Sequence, residues 1–140
     1  MALLPSEFLG SWKYERHEGF DKYLEDCGVP WLIRKATLMA GSSLEIAHLG
    51  GGQYQIKNKF ASETNTYEFF LDREFESKGM DKCLSKVIVH FENGVISESR
   101  RNLDKPDLPS SLFSFHVSGS TLTLETQTGS SSCKRFFKRV

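Results

Sequence analysis

Along most of the chain, apolar and polar side chains alternate. Tyr54, Ile56 and Phe60 alternate with Gln53, Gln55, Lys57 and Lys59, and Leu122 and Leu124 alternate with Thr121, Thr123 and Glu125. A period of two is that of a strand with one buried face. Gly50-Gly51-Gly52, Asn93-Gly94, Ser118-Gly119 and Gly129-Ser130 punctuate these segments as turns. Around Asn93-Gly94, the runs 83–91 and 95–101 predict an antiparallel hairpin. Counted this way there are about ten strands, at the short spacing of an all-β barrel or sandwich.

One region breaks the period. Phe20, Tyr23, Leu24 and Cys27 stand at i, i+3, i+4 and i+7, one face of a helix, and Gly28 then supplies a stop. Pro30 is placed to open a second helix at its first position, which runs to Met39 or Ala40 before Gly41-Ser42-Ser43. Arg34 and Lys35 read as a solvated face of that helix. The segment 102–111, with Pro106 and Pro109, reads as a long loop. The predicted order is one strand, a helical hairpin, then some nine antiparallel strands.

So many antiparallel strands in one small domain curl and close into a barrel. Closure lines an interior with every second residue, and more than about eight strands leave room inside. A helical pair after the first strand can cap one open end. The sequence therefore predicts a capped barrel, a container for a small apolar molecule.

The 140 residues suit one domain, 1–140. With 18 Lys+Arg against 18 Asp+Glu, the formal charge is zero, which argues against a protein built to grip a nucleic acid backbone. No apolar run approaches the roughly 18–20 residues of a membrane span, and the N-terminal residues 1–5 lack the pattern of a secretory signal. Three widely spaced cysteines, Cys27, Cys83 and Cys133, suggest reduced thiols and a cytoplasmic location.

Catalytic and metal patterns are missing from the sequence. The four histidines are scattered, with no zinc spacing, so no metal or other cofactor is implied. The glycine triplet lacks the Gly-Lys-Ser/Thr ending of a phosphate loop, and there is no Gly-x-Ser-x-Gly elbow. Glu74 and Glu76 read as an exposed acid pair on a strand. A lipid-modifying enzyme would need a polar pair such as Cys83 with His90 or His116.

Phe8-Leu9-Gly10-Ser11-Trp12-Lys13, followed by Gly19-Phe20-Asp21-Lys22-Tyr23-Leu24, resembles the intracellular lipid-binding proteins, the family of fatty-acid-binding proteins. Phe69-Phe70-Leu71-Asp72-Arg73-Glu74-Phe75 and Cys133-Lys134-Arg135-Phe136-Phe137-Lys138 are similar to two later family segments. The resemblance covers nearly the whole chain, in order. It implies a ten-strand antiparallel up-and-down barrel with a helix-turn-helix lid, and a monomeric, non-enzymatic cytosolic carrier of a long-chain fatty acid, retinoid or similar lipid. It also implies transient contact of the lid with anionic membrane, although Glu15, Glu18, Asp21, Glu25 and Asp26 dilute the basic charge there.

The family pattern of two inward arginines and a tyrosine around the ligand carboxylate is only partly present. Arg135 is kept, Phe137 replaces the tyrosine, and Phe115 stands where the other arginine is expected. A third basic position near the lid falls at Cys83, close to Asp81. Three arrangements are compatible with this. Arg135 alone holds the head group through ordered water. Arg100 stands in, since the family register puts Ile96, Glu98 and Arg100 inside. Or Glu98 neutralises Arg135 and the guest is a neutral lipid. The alternation itself also allows Val95, Ser97 and Ser99 to face inward. A buried arginine without a partner is the least expected state. The leading reading is a carboxylate held chiefly by Arg135, with a neutral lipid or retinoid as the alternative. Phe20, Tyr23, Leu24, Asp81, Cys83, Phe113, Phe115, Leu124 and Phe137 are further candidate contacts. Phe113, Phe115, Val117, Leu122, Leu124 and Phe137 predict a bulky wall that favours a bent or shorter guest.

Overall fold

Residues 3–60, 63–79 and 82–140 are described by the computed structural model. Ten strands follow the alternation: β1 (Gly10–Glu18), β2 (Ser42–Gly50), β3 (Gln53–Phe60), β4 (Glu63–Phe70), β5 (Phe75–Lys78), β6 (Leu84–Glu92), β7 (Val95–Asn102), β8 (Ser111–Ser118), β9 (Thr121–Thr128) and β10 (Ser131–Arg139). Two helices, α1 (Phe20–Asp26) and α2 (Trp31–Ala40), lie between β1 and β2. One antiparallel sheet runs β4-β3-β2-β1-β10-β9-β8-β7-β6-β5. It is a nearly closed up-and-down barrel, since β10 returns to pair with β1 and, among the described residues, only the β4–β5 seam lacks a ladder.

Local chemistry sets the corners. Asn93 and Gly94 have φ of 54° and 79°, the double left-handed turn that lets β6 and β7 twist together. Gly19, at φ 72°, lets β1 turn into α1. The register shifts between Tyr14 and Arg16, a bulge that bends β1 toward the helices. Pro30 stands just outside α2 as its N-cap, one position before the sequence-based placement, because its extended ψ of 150° keeps it out of the helix.

The core is the inward row of the strands. Trp12, Leu44, Ile46, Tyr54, Ile56, Phe69, Val87, Ile96, Leu122 and Phe137 are all fully buried. The far end is stoppered by a feature the alternation did not reveal, a 3-10 turn at Ser6–Phe8. Phe8 is buried there edge-on to Phe91, 5.8 Å between ring centres, and its carbonyl accepts a 3.1 Å bond from Trp12 Nε1. Tyr54 Oη accepts from the Leu4 amide at 3.0 Å, which ties the stopper to β3.

At the other end, Arg34 departs from expectation. It is not a solvated residue: its side chain is 10% exposed and clasps the two helices together. Its Nε donates to Asp21 at 3.0 Å, its Nη1 to the Val29 carbonyl at 2.9 Å, and its Nη2 reaches Glu25 at 3.4 Å. The Arg34 bond is the main cause holding Asp21 below its ordinary 3.8. A carboxyl lowered in the fold stabilises it above its ordinary value, so the clasp is present at neutral pH and is lost as pH falls through the lowered value. The stripe on α1 is also shorter than predicted, because Cys27 is its exposed C-cap and only Phe20 is buried.

Candidate functional site

Inward orientation follows strand parity. On β10, Cys133, Arg135 and Phe137 are buried while Lys134 and Lys138 are exposed. On β7, Ile96 and Glu98 are buried and Arg100 shares their face, so Val95, Ser97 and Ser99 belong to the other side. On β8 and β9, Phe115, Val117, Leu122 and Leu124 are buried, with Phe113 partly buried against them. The bulky wall predicted from the sequence is therefore assembled along β8, β9 and β10.

Arg135 sits inside this wall at 7% exposure. Its guanidinium carbon lies 5.0 Å from the ring centre of Phe20, 5.2 Å from Phe60 and 5.7 Å from Phe137. Its Nε is buried without a hydrogen-bond partner, and among the described residues no carboxylate forms an ion pair with it. Burial pushes its pKa down, and Cys133, Tyr23 and Tyr14 only partly offset this. An arginine stays protonated in such a site. The least expected state is thus the one observed, and the three aromatic faces explain how it persists, each attracting the cation through its ring quadrupole.

Glu98 does not neutralise Arg135. It accepts from Arg100 Nε at 2.7 Å and from the Tyr67 hydroxyl of β4, and it is 2% exposed. Arg100 in turn stacks on Tyr67, 4.8 Å from the ring centre. Burial works to lower the Arg100 pKa, but the Glu98 charge and Tyr67 more than offset it and the net shift is upward. Burial, followed by the charge of Glu98, holds the Tyr67 hydroxyl well above its ordinary range. Arg100 therefore cannot stand in as a free second arginine, since its charge is already matched. Neither the pair nor Tyr67 was legible as a unit, because Tyr67 reaches across the seam from a strand 31 residues away.

The lid closes over this side. Phe20 is buried, and Leu24 and Tyr23 are half-buried. Tyr23 Oη and Thr128 Oγ1 are 2.8 Å apart, and Ser111 Oγ lies 2.7 Å from the same Thr128. This hydroxyl chain ties α1 to β9 and β8. Burial raises the Tyr23 pKa, so the hydroxyl is neutral. Cys83 stands half-buried just before β6, away from His116, and Asp81 lies outside the described residues. No disulfide joins the three cysteines.

No family model matches the chain. Fatty acid-binding protein homolog 8 of Caenorhabditis elegans is 32% identical over 131 residues, which cover 94% of this chain and 94% of that protein. This chain belongs to the fatty-acid-binding protein family. The crystal structure of apo lipid binding protein 8 from Caenorhabditis elegans superposes over 100% of both chains with a TM-score of 0.88 at 29% identity. As-p18, described as an extracellular fatty acid binding protein, shares the fold at a TM-score of 0.89 and 23% identity, over 99% of this chain and 100% of its own. The relative from Caenorhabditis elegans thus shares the lidded ten-strand barrel seen here.

Proposed function

We propose that this protein is a non-enzymatic carrier that holds a long-chain fatty acid inside the barrel, its carboxylate at Arg135. The observation that carries this reading is the inward guanidinium with a buried, unpartnered Nε and no acidic neighbour among the described residues. A buried cation is costly alone and far less so when paired. An incoming carboxylate supplies the missing charge through a charge-assisted hydrogen bond. Each buried methylene of the tail adds about 0.8 kcal/mol. Phe20, Tyr23, Leu24, Phe113, Phe115, Leu124 and Phe137 line the path of that tail. A neutral lipid, or a retinoid without a carboxylate, is disfavoured, because it leaves Arg135 uncompensated.

The test is calorimetric titration of the lipid-free protein with hexadecanoic acid and its methyl ester. The acid should bind at least about tenfold tighter, 1.4 kcal/mol. Equal affinities would overturn the reading.

The carrier is read as a cytosolic monomer. An odd number of widely spaced cysteines, Cys27, Cys83 and Cys133, supports a reducing compartment. No helix among the described residues is long and apolar enough to cross a membrane. The surface of α2 supports transient membrane contact instead. Trp31, Leu32, Ile33 and Met39 are 62%, 72%, 56% and 86% exposed, and Lys35 lies beside the Trp31 ring. An apolar, partly basic helix face of this kind inserts at the headgroup boundary. Transfer of a fluorescent fatty acid to anionic vesicles should therefore speed up with vesicle concentration, and Leu32→Asp should slow it. A rate independent of vesicle concentration would show release into water first, with no lid contact.

A further inference from the structure

The interior holds a second polar group that the carboxylate site does not use. Glu98, Arg100 and Tyr67 form a buried, charge-matched cluster. Within it Arg100 Nη1 is buried and makes no hydrogen bond. A buried donor left unmade is costly, so the position is poised to take an acceptor. That acceptor is not a second carboxylate, which would set two anions against one guanidinium. It is a neutral oxygen. A hydroxyl fits best, because it accepts from Nη1 and donates to a lone pair of Glu98 left over after Tyr67 and Arg100.

The cluster is also distinct from the Arg135 site. Arg100 stacks on Tyr67, whereas Arg135 is ringed by Phe20, Phe60 and Phe137, so the two guanidinium groups share no aromatic neighbour. Arg135 is in register with Leu124, that residue with Phe115, and Phe115 with Ile96. Arg100 lies four residues beyond Ile96, on a strand three places from β10. At roughly 4.8 Å between strands and 3.4 Å per residue, the two backbone positions are about 20 Å apart along the wall.

We infer that Arg100, Glu98 and Tyr67 form a second interior subsite, which selects fatty acids carrying a hydroxyl partway along the chain. This rests on the carrier reading, since it presumes a fatty acid anchored at Arg135. The two guanidinium groups lie at different levels of the wall and share no aromatic neighbour, which points to a hydroxyl away from the carboxyl.

The experiment is calorimetric titration of the lipid-free full chain with octadecanoic acid and a set of its monohydroxy derivatives. At least one mid-chain isomer should bind about tenfold tighter than octadecanoic acid itself, and the isomer hydroxylated beside the carboxyl should show no gain. In the charge-conserving double variant Glu98→Gln/Arg100→Met, where residue 98 still accepts from Tyr67, the ratio should fall to about one. The comparison among isomers on the unmodified protein needs no variant, so it stands even if the double variant fails to fold. Equal or weaker binding of every isomer would show that water already fills the position and would overturn the inference, as would a gain that survives the double variant. If octadecanoic acid binds through Arg135 and no isomer gains, the subsite fails alone. If octadecanoic acid does not bind at all, the carrier reading fails with it.

Discussion

Replacing Arg135 by leucine is expected to lower hexadecanoic acid affinity at least tenfold while making the empty protein more stable. Both effects come from one buried charge. In the ligand-free barrel the guanidinium has lost most of its hydration and has only ring faces in return, with Nε unbonded. Three cation–π contacts at about 0.5–1 kcal/mol each offset only part of this, because the effective desolvation penalty is several kcal/mol per ion and Nε stays unbonded. Leucine removes the penalty and fills part of the volume, so stability against denaturant should rise by about 1 kcal/mol or more. The same change deletes the partner of the carboxylate, which then enters unpaired. Titration beside a urea melt checks both. The methyl ester should be nearly indifferent to the substitution, so the preference for acid over ester should disappear. A variant that binds hexadecanoic acid unchanged would move the head group elsewhere, and one that is less stable when empty would show that Arg135 is a structural cation.

Glu98→Ala is expected to have the opposite character, a loss of about 3–5 kcal/mol. Here two charges are matched at 2.7 Å with side-chain exposures of 11% for Arg100 and 3% for Glu98. Removing the carboxylate strands Arg100 and also takes away the acceptor of the Tyr67 hydroxyl. Such a loss is a large part of the 5–15 kcal/mol that a typical domain has. The triple variant Tyr67→Phe/Glu98→Leu/Arg100→Leu removes every member together and should recover most of the stability, because a buried pair replaced by apolar groups is often neutral or better. Thermal or urea unfolding of the two variants separates the cases. If Glu98→Ala were as stable as the unmodified protein, the cluster would be open to water and the buried-pair description would be wrong.

The barrel was legible in the sequence because most strands carry their own signal, β7 being the strand whose inward face the alternation left open. Alternation such as Tyr54-Gln55-Ile56 fixes which residues face inward, and Asn93-Gly94 fixes a corner, without knowledge of any distant residue. The helical hairpin was legible for the same reason, through the spacing of Phe20, Tyr23 and Leu24. Interactions that join distant segments were not. Arg34 looked like one of two surface cations on α2, and only the docking of α1 puts Asp21 and Glu25 against it. Glu98 could be paired with either arginine on parity alone. The choice of Arg100 depends on their separation by two residues on one strand face and on Tyr67 arriving across the seam. The stopper at Ser6–Phe8 was missed because three residues carry no period. Position 135 was readable as inward, but its lack of an acidic neighbour is a property of the assembled interior.

Whether the interior holds an acidic lipid is read from what the protein carries when purified. The purified chain should be extracted with organic solvent and the extract analysed by mass spectrometry, beside the Arg135→Leu variant prepared in the same way. Fatty acids should be recovered near one per chain from the unmodified protein and be depleted from the variant. An extract holding only neutral lipids, or fatty acids in equal amount from both proteins, would show that Arg135 does not hold an acidic guest.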